Sequence, residues 1–379
     1  MIDVTKSPVV PGIDVPLVDL AAQHAEVADE VAEGFARVLA NTSYVGGPDV
    51  ALFEQALAEW WGRLHVIGLG NGTDALELMI RAAGIGPGDE VILPANSFVA
   101  TLTAVLRAGA KPVLVDVDPT YLLIDPQGVA DRITPRTRAV IPVHLFGQIS
   151  PMEDLASVVA DRPIVLLEDA AQAHGARRFG AAAGTVGIAA ATSFYPGKNL
   201  GAYGDGGAVL TDRAEMARRV RLLGNHGATS KYDHNELGFN SRLDTLQAVV
   251  LSAKLKRLTD WNQARVHAAE RYREILSDHS AVWLPETMPG NDHVWHLFSI
   301  RLEHRDDVLK GLQTAGIGAG VHYPIPLHLQ GVASMLGHSR GHFPNAEAAA
   351  QRLLSLPLHP HLTVNQQDYI AAKLEDLLP

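Results

Sequence analysis

Cysteine is absent from all 379 residues, which excludes a zinc–thiolate site, a thiolate nucleophile and a disulfide scaffold outright. Positive charge is in short supply. With 31 basic against 42 acidic residues, the net charge of -11 opposes the uniformly positive face that nucleic-acid binding relies on, although one local basic pocket for a phosphorylated ligand is compatible with it. No run approaches the roughly 20 apolar residues of a membrane span. The N-terminal MIDVTKSPVVPGIDVPLVDL also lacks a basic segment leading into an apolar core. These absences predict a cytoplasmic protein with neither a membrane nor a nucleic-acid partner. What is present is material for an ordinary core: 47% hydrophobic residues exclude a disordered chain. At roughly 150 residues per domain, the length suggests one large and one small domain.

Apolar residues recur at helical spacing from 22 to 41, and Gly46, Gly47 and Pro48 break the pattern before a second helical stretch, Leu52 to Trp61. From Val66 onward short β-rich runs alternate with helix-length segments. HVIGLG is followed by a helix from Asp74, then DEVILP, a helix over Phe98 to Ala108, KPVLVDVD, TRAVIPVHL, PIVLLEDA, ATSFYP and GGAVLTD. Continuously apolar runs separated by helices predict strands buried on both faces of a mostly parallel α/β sheet. Such a sheet binds ligands beyond the carboxyl ends of its strands. Leu243 to Ser277 predicts a long helix, about 50 Å if unbroken, leading out of the large domain. Beyond it VWHLFSIRL and GIGAGVHYP read as strands. Asp306 to Thr314, Ala346 to Leu354 and Gln366 to Leu378 read as helices of a compact α+β domain. The boundary falls near 250, dividing 1–250 from 251–379.

Three constellations carry chemistry. In GLGNGTDALELMI, Gly68, Gly70 and Gly72 end a β-like run and Thr73 and Asp74 open a helix. Free N–H groups at a helix N-terminus beside a Thr hydroxyl form a phosphate cradle; the same residues suit a plain turn with Thr73 or Asp74 as N-cap. Asp169, in VLLEDAAQAHGA, ends the most apolar run, where it caps the next helix or does chemistry, and Glu168 beside it is read as facing solvent. SFYPGKNLGAYGDGGA places Lys198 in a Gly- and Pro-rich loop after another strand-like run. A cradle, a buried carboxylate and a lysine on strand-end loops of one sheet are what pyridoxal 5'-phosphate (PLP) requires. The lysine forms a Schiff base, the carboxylate keeps the pyridine nitrogen protonated and the cradle holds the phosphate.

The order and surroundings of these groups carry a resemblance. From about Val45 to the C-terminus the chain closely resembles the DegT/DnrJ/EryC1/StrS family of sugar aminotransferases, through GNGTDAL, GDEVILPANSFVAT, PVHLFGQ, EDAAQAHGA, SFYPGKNLGAYGDGGA, GFNSRLDTLQA and HYPIPLH. The resemblance implies an α/β fold of the aspartate-aminotransferase type (fold type I), with a mostly parallel seven-stranded sheet in the large domain and a smaller α+β C-terminal domain. It implies PLP as cofactor, with the pyridoxamine form as intermediate, and Lys198 as both Schiff-base lysine and proton carrier. Asp169 would pair with the pyridinium nitrogen, Gln172 would hydrogen-bond near the ring hydroxyl, and Phe98 would stack on the ring rather than pack between helix and sheet. Gly72, Thr73 and Ser193 would hold the phosphate, and Asn240 would reach it from a second subunit, which makes the protein at least a homodimer with shared active sites. For substrate, the resemblance and the chemistry point to Tyr232, Arg242, His322 and Tyr323. Arg242 suits the carboxylate of L-glutamate, or equally an ion pair with Asp244 or another acid. His322 and Tyr323 suit a nucleotide diphosphate, or a buried turn.

Within the family, TRAVIPVHLFGQ and the Lys198 and GFNSRLD motifs look most like enzymes that aminate C3 of a dTDP-linked keto-deoxysugar, releasing 2-oxoglutarate from glutamate. One departure is Gly224 in LLGNHG, where relatives often carry a basic residue, and no substrate contact is assigned there. The alternatives are a 4-keto nucleotide sugar or a cyclitol ketone as acceptor, or a PLP-binding regulatory protein without turnover. A dehydratase of the same family would have histidine in place of Lys198. A nucleotide-binding oxidoreductase lacks its third glycine at the required spacing and leaves Lys198 idle. His338 and His342 lie in polar sequence without a nearby carboxylate pattern, and no metal is expected.

Overall fold

The computed structural model describes residues 15–378. Residues 1–14, which carry most of the reading of the N-terminus, lie outside the described residues. Seven strands form one sheet, in the spatial order His65–Leu69, Gly207–Thr211, Ala189–Ser193, Val165–Asp169, Thr137–Val140, Glu90–Pro94 and Lys111–Val115. Gly207–Thr211 runs antiparallel to both neighbours, and the remaining strands pair in parallel. The uninterrupted apolar runs follow from burial on both sides. Ile67, Val91, Leu93, Ala139 and Leu167 enter one core cluster, and Val66, Ile92, Val140, Leu166 and Ala190 enter the other. Alternate residues thus point into different helical layers.

A smaller pair, Phe298–Arg301 and Leu353–Leu356, runs antiparallel under the helices Leu258–Ile275, Arg305–Thr314 and Val364–Leu377. Its core holds Tyr272, Phe298, Leu312, Leu354 and Ile370. Tyr272 stacks on Phe298 at 5.0 Å and its hydroxyl donates to the Pro357 carbonyl.

Local differences from the sequence expectation have local causes. The helical stretch from 22 to 41 is two helices, Leu20–Ala25 and Ala28–Asn41. The break falls at Glu26, whose carboxylate accepts from the Trp261 indole N–H and contacts His361. Pro48 does not separate helices; with Gly47 as N-cap at φ 88°, it opens Pro48–Trp61 at the first helical position, where its missing N–H costs nothing. The predicted 50 Å helix is divided into Thr245–Leu255 and Leu258–Ile275 at Lys256 and Arg257, both paired with Glu30. GIGAGVHYP forms no named strand. Its backbone pairs only as the isolated bridges Ile317 to Val15 and Gly320 to Ser355 among the described residues, after a left-handed turn at Gly316. The helix expected over Ala346 to Leu354 is Pro344–Arg352, and its tail is the strand Leu353–Leu356.

Candidate active site

The carboxyl ends of the central strands converge. Leu69 ends one strand, and the chain turns through Gly70 and Asn71 into the helix Gly72–Ala82. Neither Thr73 nor Asp74 is the N-cap: the Asn71 side chain accepts from the Asp74 N–H at 2.8 Å. Asp74 is instead held by the Ser241 hydroxyl at 2.9 Å and the Asn71 amide at 3.0 Å. The first-turn N–H groups of Gly72 and Thr73 have no intrahelical acceptor and are available to an anion. The turn needs its glycines because other strand ends press on it. A Cβ on Gly72 would lie 2.6 Å from Ser193 Cβ, and one on Gly207 would lie 2.5 Å from the Asn71 carbonyl. Gly72, Thr73 and Ser193 are therefore brought together.

Asp169 ends Val165–Asp169, beside the strand that ends at Ser193, and is 4% exposed. It caps no helix. Its Oδ1 accepts from the Ala171 N–H at 3.1 Å and its Oδ2 from the Thr101 hydroxyl at 2.8 Å. Burial pushes its carboxyl above the usual range, while these hydrogen bonds and the charge of Lys198 pull it back down. Glu168 does not face solvent. It is buried and accepts from His144 Nε2 at 2.8 Å and from the N–H groups of Gly184 and Gly187 at 2.6 Å each. Since the Ser150 N–H donates to His144 Nδ1, the ring proton sits on Nε2.

Lys198 lies in a tight loop, its N–H donating to the Tyr195 carbonyl at 2.8 Å. Close approach fixes the loop: a Cβ on Gly201 would meet the Pro196 oxygen at 2.2 Å. Asn199 anchors the far side, donating to Asn262 at 2.9 Å and to the Val294 carbonyl at 3.0 Å, and accepting from His296 Nδ1 at 3.1 Å. Burial lowers the Lys198 amine to about 8, with Asp169 opposing the shift. Nearby His174 and His322 are held neutral, at about 3 and about 4, by burial first and the Lys198 charge second.

Phe98 is the residue before the helix Val99–Arg107 and is 53% exposed, so its ring is not spent on core packing; its centroid lies 5.6 Å from that of Tyr323. The Gln172 amide donates to the Tyr323 oxygen at 3.0 Å, and its carbonyl oxygen accepts from the Phe146 N–H at 2.6 Å. His322 pairs with Ser355 at 2.9 Å, which ties this half of the HYP segment to the small sheet.

Other expected residues are not gathered here. Tyr232 is 84% exposed on the short hairpin Ala228–Ser230 and Asp233–His234, with the Lys231 ammonium over its ring. Asn240 and Arg242 are exposed and bound to each other at 2.7 Å. Arg242 has no carboxylate partner among the described residues, so the ion pair with Asp244 is not formed. Arg242 lines a cleft of about 570 Å³ with Arg218, Arg221 and Gly224. At Gly224 a Cβ would stand 2.8 Å from the Ser241 oxygen. His338 and His342 approach within 3.4 Å at Nδ1, but no group of three His, Asp or Glu among the described residues could hold a metal ion.

PLP fits the gathered set. The cradle has free N–H groups and a Thr hydroxyl, Phe98 offers an open ring face, and each Asp169 oxygen retains a lone pair beyond its hydrogen bond. Sequence reasoning missed Ser97, Thr101, His144, Asn199 and His296. Ser97 and Thr101 stand in ANSFVAT around Phe98, where a polar pair opening an otherwise apolar helix was the available signal.

A model of the DegT/DnrJ/EryC1/StrS aminotransferase family matches residues 25–375. The erythromycin biosynthesis sensory transduction protein EryC1 of Saccharopolyspora erythraea is 45% identical over 96% of this chain and 99% of its own length. The dTDP-3-amino-3,4,6-trideoxy-alpha-D-glucose transaminase of Streptomyces venezuelae is 44% identical over 92% of each. Among solved structures, S. venezuelae DesV in complex with a ketimine intermediate superposes with a TM-score of 0.94 at 42% identity, covering 96% of this chain and 98% of that one. NtdA of Bacillus subtilis, with bound cofactor PMP, gives 0.89 at 32% identity, covering 97% and 86%. With the match spanning both the sheet and the smaller sheet pair, the chain belongs to the DegT/DnrJ/EryC1/StrS aminotransferase family.

Proposed function

We propose that this aminotransferase uses PLP held at Lys198 to move the amino group of L-glutamate to C3 of a dTDP-linked 3-keto-6-deoxysugar, as a homodimer with shared active sites. The observation that carries the reading is the convergence of Lys198, Asp169 and the Gly72–Thr73–Ser193 cradle on the ends of neighbouring strands, with the lysine amine lowered to about 8. PLP bound there supplies a reactive carbonyl carbon and an electron-accepting ring. Gly72 and Thr73 N–H groups and the Ser193 hydroxyl hold the phosphate. Asp169 would hold a proton on the ring nitrogen, and the exposed Phe98 ring would cover a ring face. An amine near neutrality can both accept and return a proton, so Lys198 Nζ would serve as the proton carrier beside the bound cofactor.

The dimer reading is supported by exposure: Asn240, Arg242, Tyr232 and Leu237 stand out from the chain, the last two 84% and 87% exposed. Arg242 then serves the glutamate carboxylate, and Tyr323 with His322 lines the sugar side. A domain division near 250 puts Lys198 and Asp169 in the large domain and Tyr323 in the small one. The dTDP-linked C3 acceptor is supported by the name of the S. venezuelae relative and by the likeness of the Lys198 and GFNSRLD motifs. A regulatory role without turnover, as the name of the S. erythraea relative suggests for that protein, gives no use for a lysine held at about 8 beside a buried aspartate.

The test of the acceptor is product analysis. Enzyme with PLP, glutamate and a dTDP-linked 3-keto-6-deoxysugar should give an NMR spectrum with the new amine on C3. Amination at C4 of the matching 4-keto sugar in preference to this substrate would overturn the assignment.

A further inference from the structure

Ser97 precedes Phe98 in the turn after Glu90–Pro94, Thr101 lies in the first turn of the helix Val99–Arg107, and neither has a part in the chemistry above. Both are buried, at 4% and 1% exposure. Thr101 Oγ1 lies 2.8 Å from Asp169 Oδ2 and 2.8 Å from Ser97 Oγ. A hydroxyl has one proton to give, and an ionised carboxylate only accepts. Thr101 must therefore spend its proton on Asp169, and its oxygen is free only to accept, so the Ser97 hydroxyl is the donor of the second bond. The chain of donation has one direction, Ser97 to Thr101 to Asp169, and it reverses if the carboxyl is protonated. Its end is fixed by the Ala171 N–H on the other carboxylate oxygen. The Thr101 N–H approaches the Phe98 carbonyl at 3.3 Å, so a single turn of helix sets both the exposed Phe98 ring and the hydroxyl that grips Asp169.

We infer that Ser97 and Thr101 are positioning residues: a directed hydroxyl pair that orients the Asp169 carboxylate and keeps it ionised opposite the ring nitrogen of PLP. This rests on the PLP reading above. The charged and titratable neighbours acting on Asp169 are Lys198 and His144. His144 is committed to Glu168, and Lys198 to the reaction, which leaves the hydroxyl pair as the fixed polar support from side chains. A buried carboxylate is stabilised by each charge-assisted bond it accepts, and successive hydroxyls polarise one another.

The test uses the full-length enzyme loaded with PLP isotopically labelled at the ring nitrogen. Thr101→Val keeps the shape and removes the donor; Thr101→Ser restores it; Ser97→Ala removes only the outer hydroxyl. In Thr101→Val the ring-nitrogen NMR signal should shift toward the unprotonated position. The glutamate half-reaction should slow about tenfold to a hundredfold, the size of one lost bond to a buried charge, while the glutamate KM changes less than about threefold. Thr101→Ser should recover the wild-type signal, and Ser97→Ala should fall between. A Thr101→Val enzyme with an unchanged nitrogen signal, or a Thr101→Ser enzyme that fails to recover it, would overturn the inference. Wild-type protein that does not take up PLP would instead overturn the reading of function beneath it, and the wild-type control separates the two.

Discussion

The Lys198 wall and the hairpin side of the same chain are built differently. Around Lys198 most polar groups have a fixed partner: Asp169 two, Glu168 three, Asn199 three. Along 228–242, Thr229, Asp233 and Asn235 bond one another within the hairpin, but Tyr232 and Leu237 stand exposed, and the exposed Asn240 and Arg242 side chains bond each other. A preorganised site keeps its chemical groups on rigid elements with supporting hydrogen bonds. A region that recognises a large ligand or a second subunit leaves its contacts open until that partner arrives. Under the proposed function, the proton-handling groups are complete within one chain, whereas the recognition groups would be completed by a ligand or a second subunit.

Lys198→Ala should break the first half of this contrast most severely, abolishing turnover in a coupled glutamate assay while PLP still binds without a covalent link. Next in size, Asp169→Asn leaves the shape and removes the charge. We expect kcat to fall about a hundredfold to a thousandfold, as for loss of one preorganised electrostatic contact, with Tm little changed. The second half is tested by mixing. Lys198→Ala and Asn240→Asp protein, each inactive alone, should regain about a quarter of wild-type activity after subunit exchange, because half of random dimers are mixed and carry one intact site of two. No recovery despite exchange would place Asn240 outside a shared site.

Helices, strands and the core site were legible in the sequence where burial leaves a pattern. Seven runs such as DEVILP and PIVLLEDA are largely apolar because both faces are covered, and Lys198 and Asp169 were singled out because, with the Gly72–Thr73 cradle on strand-end loops of one sheet, they suit PLP and sit in the family's motifs. What was not legible lacked local punctuation. The helix breaks at Glu26 and at Lys256–Arg257 contain neither Gly nor Pro and arise from side chains of distant elements. Glu168 looked like a surface acid since the three groups that bury it lie 16 to 24 residues away in sequence. GIGAGVHYP has strand-like composition, yet it meets the open edge of the small sheet at only one residue, Gly320 opposite Ser355.

Two smaller effects sharpen the comparison. Attack on PLP needs the neutral amine, and lowering Lys198 from 10.5 to about 8 raises its neutral fraction at pH 7 roughly 300-fold. PLP capture by the cofactor-free protein should therefore accelerate about tenfold per pH unit below 8 and level off above it, measured by stopped-flow absorbance. A rise continuing to pH 10 would show an unperturbed lysine. Glu168→Gln should cost about 1–3 kcal/mol in denaturant unfolding by weakening three bonds to a buried carboxylate, and should leave kcat within about threefold of wild type.

The most direct measurement is the near-visible absorption spectrum of purified protein with PLP, before and after glutamate, followed by borohydride reduction and peptide mass mapping. The account predicts a PLP band that glutamate removes and a reduced adduct on Lys198. No such band, or an adduct on another lysine, would contradict it.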